Sequence, residues 1–226
     1  MDHPLRVVAQ PLRRQVEDGL RAAIAGGRFA PGEHLSDRLL CDLFGASRTV
    51  VREAVRLLEA EGLVCVLPHR GAFVAFLSVE EAAQIYELRA ALEALAGEGF
   101  ATRASEAERA MLRDIFKKLS ALPQDTGREA LLAIKRRFYD VLLAGCGNPF
   151  VARMLAPLLS RILRLRATSL SAPGRLRHTV AEVGRVMAAI ERRDGPAAAS
   201  ACREHVARAA KAALAVLAAQ QTPRRR

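Results

Sequence analysis

The chain has 226 residues, 51% hydrophobic and only 4% aromatic, with 35 Lys+Arg against 24 Asp+Glu. That length accommodates two ordinary domains with real cores, and the composition reads as a soluble, largely helical protein. No apolar run approaches the roughly 20 residues that span a bilayer, and the N-terminus lacks the apolar stretch of a secretory leader, so a cytoplasmic location is expected.

Residues 11–25 place Leu12, Val16, Leu20 and Ile24 at helical spacing and run into Gly26-Gly27, which predicts an amphipathic helix. Pro31-Gly32 is a turn dipeptide. Ser36 then precedes the apolar set Leu39, Leu40, Leu43 and Phe44, so a capped helix is expected over Asp37–Phe44, ended by Gly45 in the left-handed conformation. Ser47 caps a second helix whose Val51, Val55 and Leu58, with Leu63 a turn later, face a core. Residues 63–67 and 72–75 read as two short strands around Pro68-His69-Arg70-Gly71, a turn that needs the φ freedom of Gly71. Two helices, a tight turn and a hairpin in this order outline a winged helix-turn-helix.

A helix lying in the major groove presents its N-terminal residues to base edges, while caps and wing meet phosphates. Ser47, Arg48, Thr49 and Arg52 hold those positions, with Arg48 and Arg52 four apart on one face. Arg38, His69, Arg70 and Gly71 flank them. The bland alternative is a set of ordinary solvated arginines.

These residues resemble the DNA-binding domain of the GntR family of bacterial regulators: PGEHLSDRLLCDLFGASRTVVREAVRLLEAEGLV followed by the wing PHRGAFV. The resemblance implies operator contacts at Arg38, Ser47, Arg48, Thr49 and Arg52 and at the wing residues His69, Arg70 and Gly71. Val50 departs from the proline or threonine common there.

Beyond the wing the chain reads as helix throughout. Ser78 with Glu81, Ser105 with Glu108, Thr126 with Glu129 and Thr179 with Glu182 have capping-box spacing. Helices are expected from about 79, over 106–121, 127–144, 149–171 and 179–193, and from Asp194-Gly195-Pro196 to about 218. Domains of 1–77 and 78–220, with a basic tail at 221–226, follow. The fold class is mainly α: an N-terminal winged helix-turn-helix and a C-terminal all-α bundle, whose interior can hold a ligand.

This second half resembles the FCD domain, the helical effector-binding module of the FadR subfamily, through IYELRAALEALA, RRFYDVLLAGCGNPF and VMAAIERRDGPAAASACREHV. Many members hold a divalent metal with one aspartate and three histidines. Here the matching positions are Lys135, Tyr139, Val183 and His205, so no bound metal of the usual kind is expected, although Glu182 and Asp140 lie close by in sequence. Losing the cation requires another positive group for an anionic effector such as an organic or sugar acid. Lys135 sits in the vacated position. Arg89, Arg161 and Arg164 are further candidates, with Tyr139, Asn148 and His205 as hydrogen-bonding partners and Arg137 a lesser one. The i, i+4 pair Arg89–Glu93 could equally just support its helix.

Charge and cysteines complete the picture. Residues 1–78 hold 10 Lys+Arg and 9 Asp+Glu, while residues 79–226 hold 25 and 15, so the net charge of +11 belongs mainly to the bundle. Cys41, Cys65, Cys146 and Cys202 form no CxxC pair and are expected as buried thiols. No nucleophile–base pair or carboxylate dyad of an enzyme is visible. The expectation is a DNA-binding regulator, a metabolite-responsive repressor, acting as a homodimer on a short inverted repeat of double-stranded operator DNA. The alternatives are an effector-independent architectural nucleic-acid binder and an enzyme with an accessory DNA-binding domain.

Overall fold

A computed structural model describes residues 12–123, 126–172 and 174–221. The chain divides into two compact units, Met1–Phe76 and Leu77–Arg226. Pro11, Pro173 and most of the basic tail lie outside the described residues.

The first unit packs three helices on a small sheet. Helix α1 (Leu12–Ala25) buries Val16, Leu20 and Ile24, whereas Leu12, expected on that stripe, is 46% exposed at the helix end. Helices α2 (Asp37–Phe44) and α3 (Arg48–Ala60) form the helix-turn-helix. Ser36 Oγ accepts from the Leu39 amide and Ser47 Oγ from the Val50 amide, so each hydroxyl satisfies one orphan donor of a first turn. Between them Gly45 adopts φ +60°, the left-handed geometry expected of it. Leu40, Val51, Ala54, Leu58 and Leu63 are sealed in the core, each large side chain stabilising the fold by about 1.5–3 kcal/mol. Leu39 is the exception: it stands 42% exposed because a helix this short has room for only one inward stripe.

The wing strands are β2 (Val64–Leu67) and β3 (Gly71–Val74), paired antiparallel with Leu67 opposite Gly71. Gly71 has φ +88°, and His69, a non-glycine residue of the same turn, is also left-handed at +60°. A third strand, β1 (His34–Leu35), pairs with the far edge of β3 to give the order β1-β3-β2. It was not expected, since two residues carry no alternation to read. Its effect is to cover the edge of β3 and bury Leu35.

The second unit is an antiparallel helical bundle of α4 (Val79–Arg103), α5 (Glu106–Ser120), α6 (Arg128–Gly145), α7 (Pro149–Leu155), α8 (Leu159–Leu170), α9 (Arg175–Glu191) and α10 (Gly195–Gln221). Helices α4 and α10 approach closely over small residues: a Cβ at Gly97 would lie 2.6 Å from Cys202 Sγ and 3.2 Å from the Ala198 carbonyl oxygen. The Ser105–Glu108 capping box is complete. At Ser78 only half forms, because the Glu81 carboxylate turns to Arg161, 3.1 Å away.

Two other expected boxes are absent. Thr126 Oγ1 donates to the Pro123 carbonyl, and Gly127 stands at the N-terminus of α6 without a side-chain cap. Thr179 and Glu182 lie inside α9, which starts a turn earlier at Arg175; their i, i+3 spacing reflects a shared inward face instead. The helix expected over 149–171 is interrupted by a 3-10 turn at Ala156–Leu158, where Pro157 has no amide to continue the ladder. Of the cysteines, Cys146 and Cys202 are buried but Cys41 and Cys65 are only half-buried, and all four are free thiols.

Candidate nucleic-acid interface and buried polar site

In the first unit the expected contact residues are all exposed. Ser47, Arg48, Thr49 and Arg52 line the solvent side of the first turns of α3, and Arg56 continues the Arg48–Arg52 row by one more turn. Arg48 makes no ion pair among the described residues. Arg52 does: its Nε donates to Asp37 Oδ2 at 2.8 Å, tying α3 to the first residue of α2. Arg38 is 90% exposed and only loosely placed, 3.9 Å from Asp42. At the wing tip His69, Arg70 and Gly71 are exposed, and the Arg70 guanidinium lies 5.7 Å from the centre of the Phe73 ring.

The second unit hides a polar cluster in its interior. Arg89 of α4 is fully buried, and its Nε donates to Glu93 Oε1 at 2.8 Å. The same oxygen is 3.5 Å from Nη2 of Arg166 on α8, whose guanidinium stacks 3.6 Å above the Tyr139 ring of α6. Arg89 itself lies over Tyr86. Alongside runs a second chain of contacts. Arg175 donates both terminal nitrogens to the two oxygens of Glu182, at 2.9 and 2.7 Å. Glu182 Oε2 is 2.7 Å from His205 Nδ1, and His205 Nε2 is 3.4 Å from Lys135 Nζ.

Burial and charge set the ionisation of these groups. Burial pushes the Glu93 carboxyl up, but Arg89 and Arg166 override it and hold it at about 2. Glu182 is likewise held at about 2, its hydrogen bonds from His205 and Arg175 outweighing desolvation. His205 is driven down to about 4 by burial and by Lys135, against the pull of Glu182. Lys135 is pushed well below the usual lysine range by burial and by the charges of Arg166, Arg89 and Arg175. At neutral pH the imidazole is therefore uncharged. With Nδ1–H donating to the carboxylate, the Nε2 lone pair is left to accept a Lys135 N–H.

Three buried arginines thus face two buried carboxylates. Both terminal nitrogens of Arg89, Nε of Arg166, Nε of Arg175 and the Thr179 hydroxyl have no hydrogen-bond partner among the described residues. Each unmade bond at such depth costs about 1–3 kcal/mol.

Of the expected effector residues, Arg89, Lys135, Tyr139 and His205 come together here. Asn148 does not: it is exposed and caps α7, accepting from the Phe150 amide. Arg161 pairs with Glu81 in the first turn of α4, and Arg164 also lies within the field of Glu81, so both sit off the cluster. The inward stripe of α8 is Ile162, Leu165, Arg166 and Ser169, a 3-4 spacing on which Arg166, not Arg161 or Arg164, falls. Arg166, Arg175 and Thr179 were missed. Arg137 is exposed, and Asp140 is exposed beside Arg136.

A winged helix-turn-helix with basic residues along α3, followed by a helical bundle with a polar interior, defines a DNA-binding regulator with a second, all-helical domain. Residues 12–74 match "Bacterial regulatory proteins, gntR family" and residues 84–208 match the FCD domain. The chain belongs to the GntR family of transcriptional regulators, in the branch that carries an FCD domain. It is 27% identical to the galactonate operon transcriptional repressor of Escherichia coli K12, over 81% of this chain and 89% of that protein. It is 30% identical to the transcriptional repressor GlaR of the same strain, over 67% of this chain and 73% of that protein. Among solved structures, E. coli McbR/YncC shares the fold with a TM-score of 0.75 at 24% identity, covering 94% of this chain and 99% of that one. No helix among the described residues is long and apolar enough to cross a membrane.

Proposed function

We propose that this regulator is a cytoplasmic, homodimeric repressor that reads a short inverted repeat through α3 and the wing, and is released by a small carboxylate held in its bundle. The relatives named repressors support the sign. The exposed row of Arg48, Arg52 and Arg56 supports the reading of α3, with Arg38, Ser47, Thr49, His69, Arg70 and Gly71 as flanking contacts.

The observation that carries the effector site is the set of buried arginine N–H groups without partners, in a cluster with more positive than negative groups. A carboxylate satisfies such donors with charge-assisted, bidentate bonds. We further propose that this site works without the divalent cation common in FCD domains. The positions of the usual ligands hold Lys135, Tyr139, Val183 and His205, and Glu182 is already engaged by Arg175 and His205. An ammonium or amine facing the one imidazole nitrogen left over does not fit a metal. No enzymatic turnover is proposed.

A second reading is favoured by Glu93 and Glu182, which act as built-in carboxylates and would suit a bundle needing no effector. Thermal denaturation against a panel of organic and sugar acids separates the two: a selective rise in melting temperature supports the effector, and a flat panel supports the second reading. Metal analysis of protein purified without chelator tests the rest; one bound transition metal per chain would overturn the metal-free site.

A further inference from the structure

Glu182, His205 and Lys135 form a relay of the kind that activates nucleophiles. A carboxylate orients an imidazole through Nδ1, and the imidazole accepts from the attacking group through Nε2. The attacking group here is an amine. Arg175 clamps Glu182 from the other side with two hydrogen bonds, so the relay is anchored at its far end.

The choice of lysine is itself informative. The chain contains thirty-one arginines and only four lysines, and Lys117, Lys118 and Lys211 are exposed while Lys135 is buried. A cation wanted only for its charge would be served by arginine, which stays protonated at any depth and was used for Arg89, Arg166 and Arg175. Lysine differs in being able to lose its proton and become a nucleophile. Burial among those three arginines favours the uncharged amine. A recess of about 370 Å³ lined by Thr126, Leu131, Leu170, Ala172, Arg175 and Leu176 shares one residue with the cluster, Arg175, which lines its wall and bonds Glu182.

We propose that Lys135 captures its effector covalently, as an imine with a small carboxylate that also bears an aldehyde or ketone carbonyl, a 2-oxo acid being the simplest case. The proposal rests on the anion-binding reading above and names the ligand class for that site. The unpartnered terminal nitrogens of Arg89 hold the carboxylate. The Lys135 Nζ lone pair adds to the carbonyl carbon, and the C=O π pair moves onto oxygen. His205 Nε2 takes one amine proton and returns it to that oxygen, giving a carbinolamine. Loss of the hydroxyl with the second amine hydrogen, as water, leaves the C=N bond. The sum is amine plus carbonyl giving imine plus water, and hydrolysis reverses it, as release of a signal requires. His205 moves the proton; Glu182 and Arg175 are positioning residues.

The test is reductive trapping on the full-length protein. Glyoxylate or pyruvate is added with cyanoborohydride, acetate serves as the carbonyl-free control, and adducts are read by intact mass and peptide mapping. One adduct at Lys135 is expected, with Lys117, Lys118 and Lys211 unmodified on the same time scale. Lys135→Arg abolishes it, and Lys135→Met does the same should the arginine variant fail to fold. His205→Gln slows trapping by about a hundredfold, the usual contribution of a positioned acid–base group. Excess acetate competes with it. Labelling of the exposed lysines alone, or no adduct from either acid, overturns the imine. A rise in melting temperature with acetate in that same series then shows independently that the anion-binding reading stands, and its absence shows that this fails too.

Discussion

Arginine does opposite work in the two halves of this regulator. Arg38, Arg48 and Arg52 stand in water on the helix-turn-helix, where an ion pair such as Arg52–Asp37 contributes about 0–1 kcal/mol and is readily exchanged for a phosphate or a base edge. Arg89, Arg166 and Arg175 are sealed in the bundle, where the fold depends on each finding a carboxylate and breaking a pair leaves a charge with no water to receive it. The contrast explains why the half with almost no net charge reads DNA while the strongly basic half does not need to. Specific contact needs a few cations free to rearrange. The proposed ligand site needs several held still.

The comparison can be broken most severely at Glu93. Glu93→Gln strands Arg89 and Arg166, and a loss of about 3–5 kcal/mol in urea denaturation is expected; a variant as stable as the parent would mean the cluster is wet. A pH series probes the second carboxylate chain. His205 and Glu182 both titrate lower in the folded protein than in the unfolded chain, so each favours folding above its unfolded value. Stability should fall as pH drops from about 6.5 toward 4 for His205, and on toward 2 for Glu182. His205→Gln should flatten the upper part of that curve alone.

On the exposed half, effects belong to binding and not to folding. Arg48→Ala should weaken specific operator binding by about 1–3 kcal/mol in a fluorescence-anisotropy titration, with the melting temperature unchanged. Undiminished specific affinity would remove Arg48 from the interface. The smallest effect is expected from Asp37→Asn, which releases Arg52. A gain of at most about fivefold in operator affinity at low salt, shrinking as salt rises, matches the strength of an exposed pair.

Much of the first unit was legible before any coordinates. Ser36, Gly45 and Ser47 act within three or four residues of themselves, through a hydroxyl reaching a nearby amide or a backbone turning left-handed. Strand β1 was not legible, because His34 and Leu35 become a strand only by meeting Phe73 and Ala72. In the second unit the capping-box pattern misled at Thr126 and Thr179. The same spacing that caps a helix also places two residues on one helix face, and only packing selects between them. Pro157 was readable as a break and was passed over.

The candidate ligand site shows the same division. That Lys135, Tyr139 and Val183 stand at positions where the FCD resemblance implies metal ligands is a matching of residues and needs no coordinates. The sequence by itself determined the winged helix-turn-helix, the all-α second half and the cations available to each, since these follow from hydrogen bonds and periodicities a few residues long. Only the tertiary structure decided which cations go inside. Arg166 reaches Glu93 across 73 positions, Lys135 reaches His205 across 70, and Arg161 falls to Glu81 instead. A buried charge is tolerated only where a partner from another helix arrives at bonding distance, and that is a property of the packed bundle.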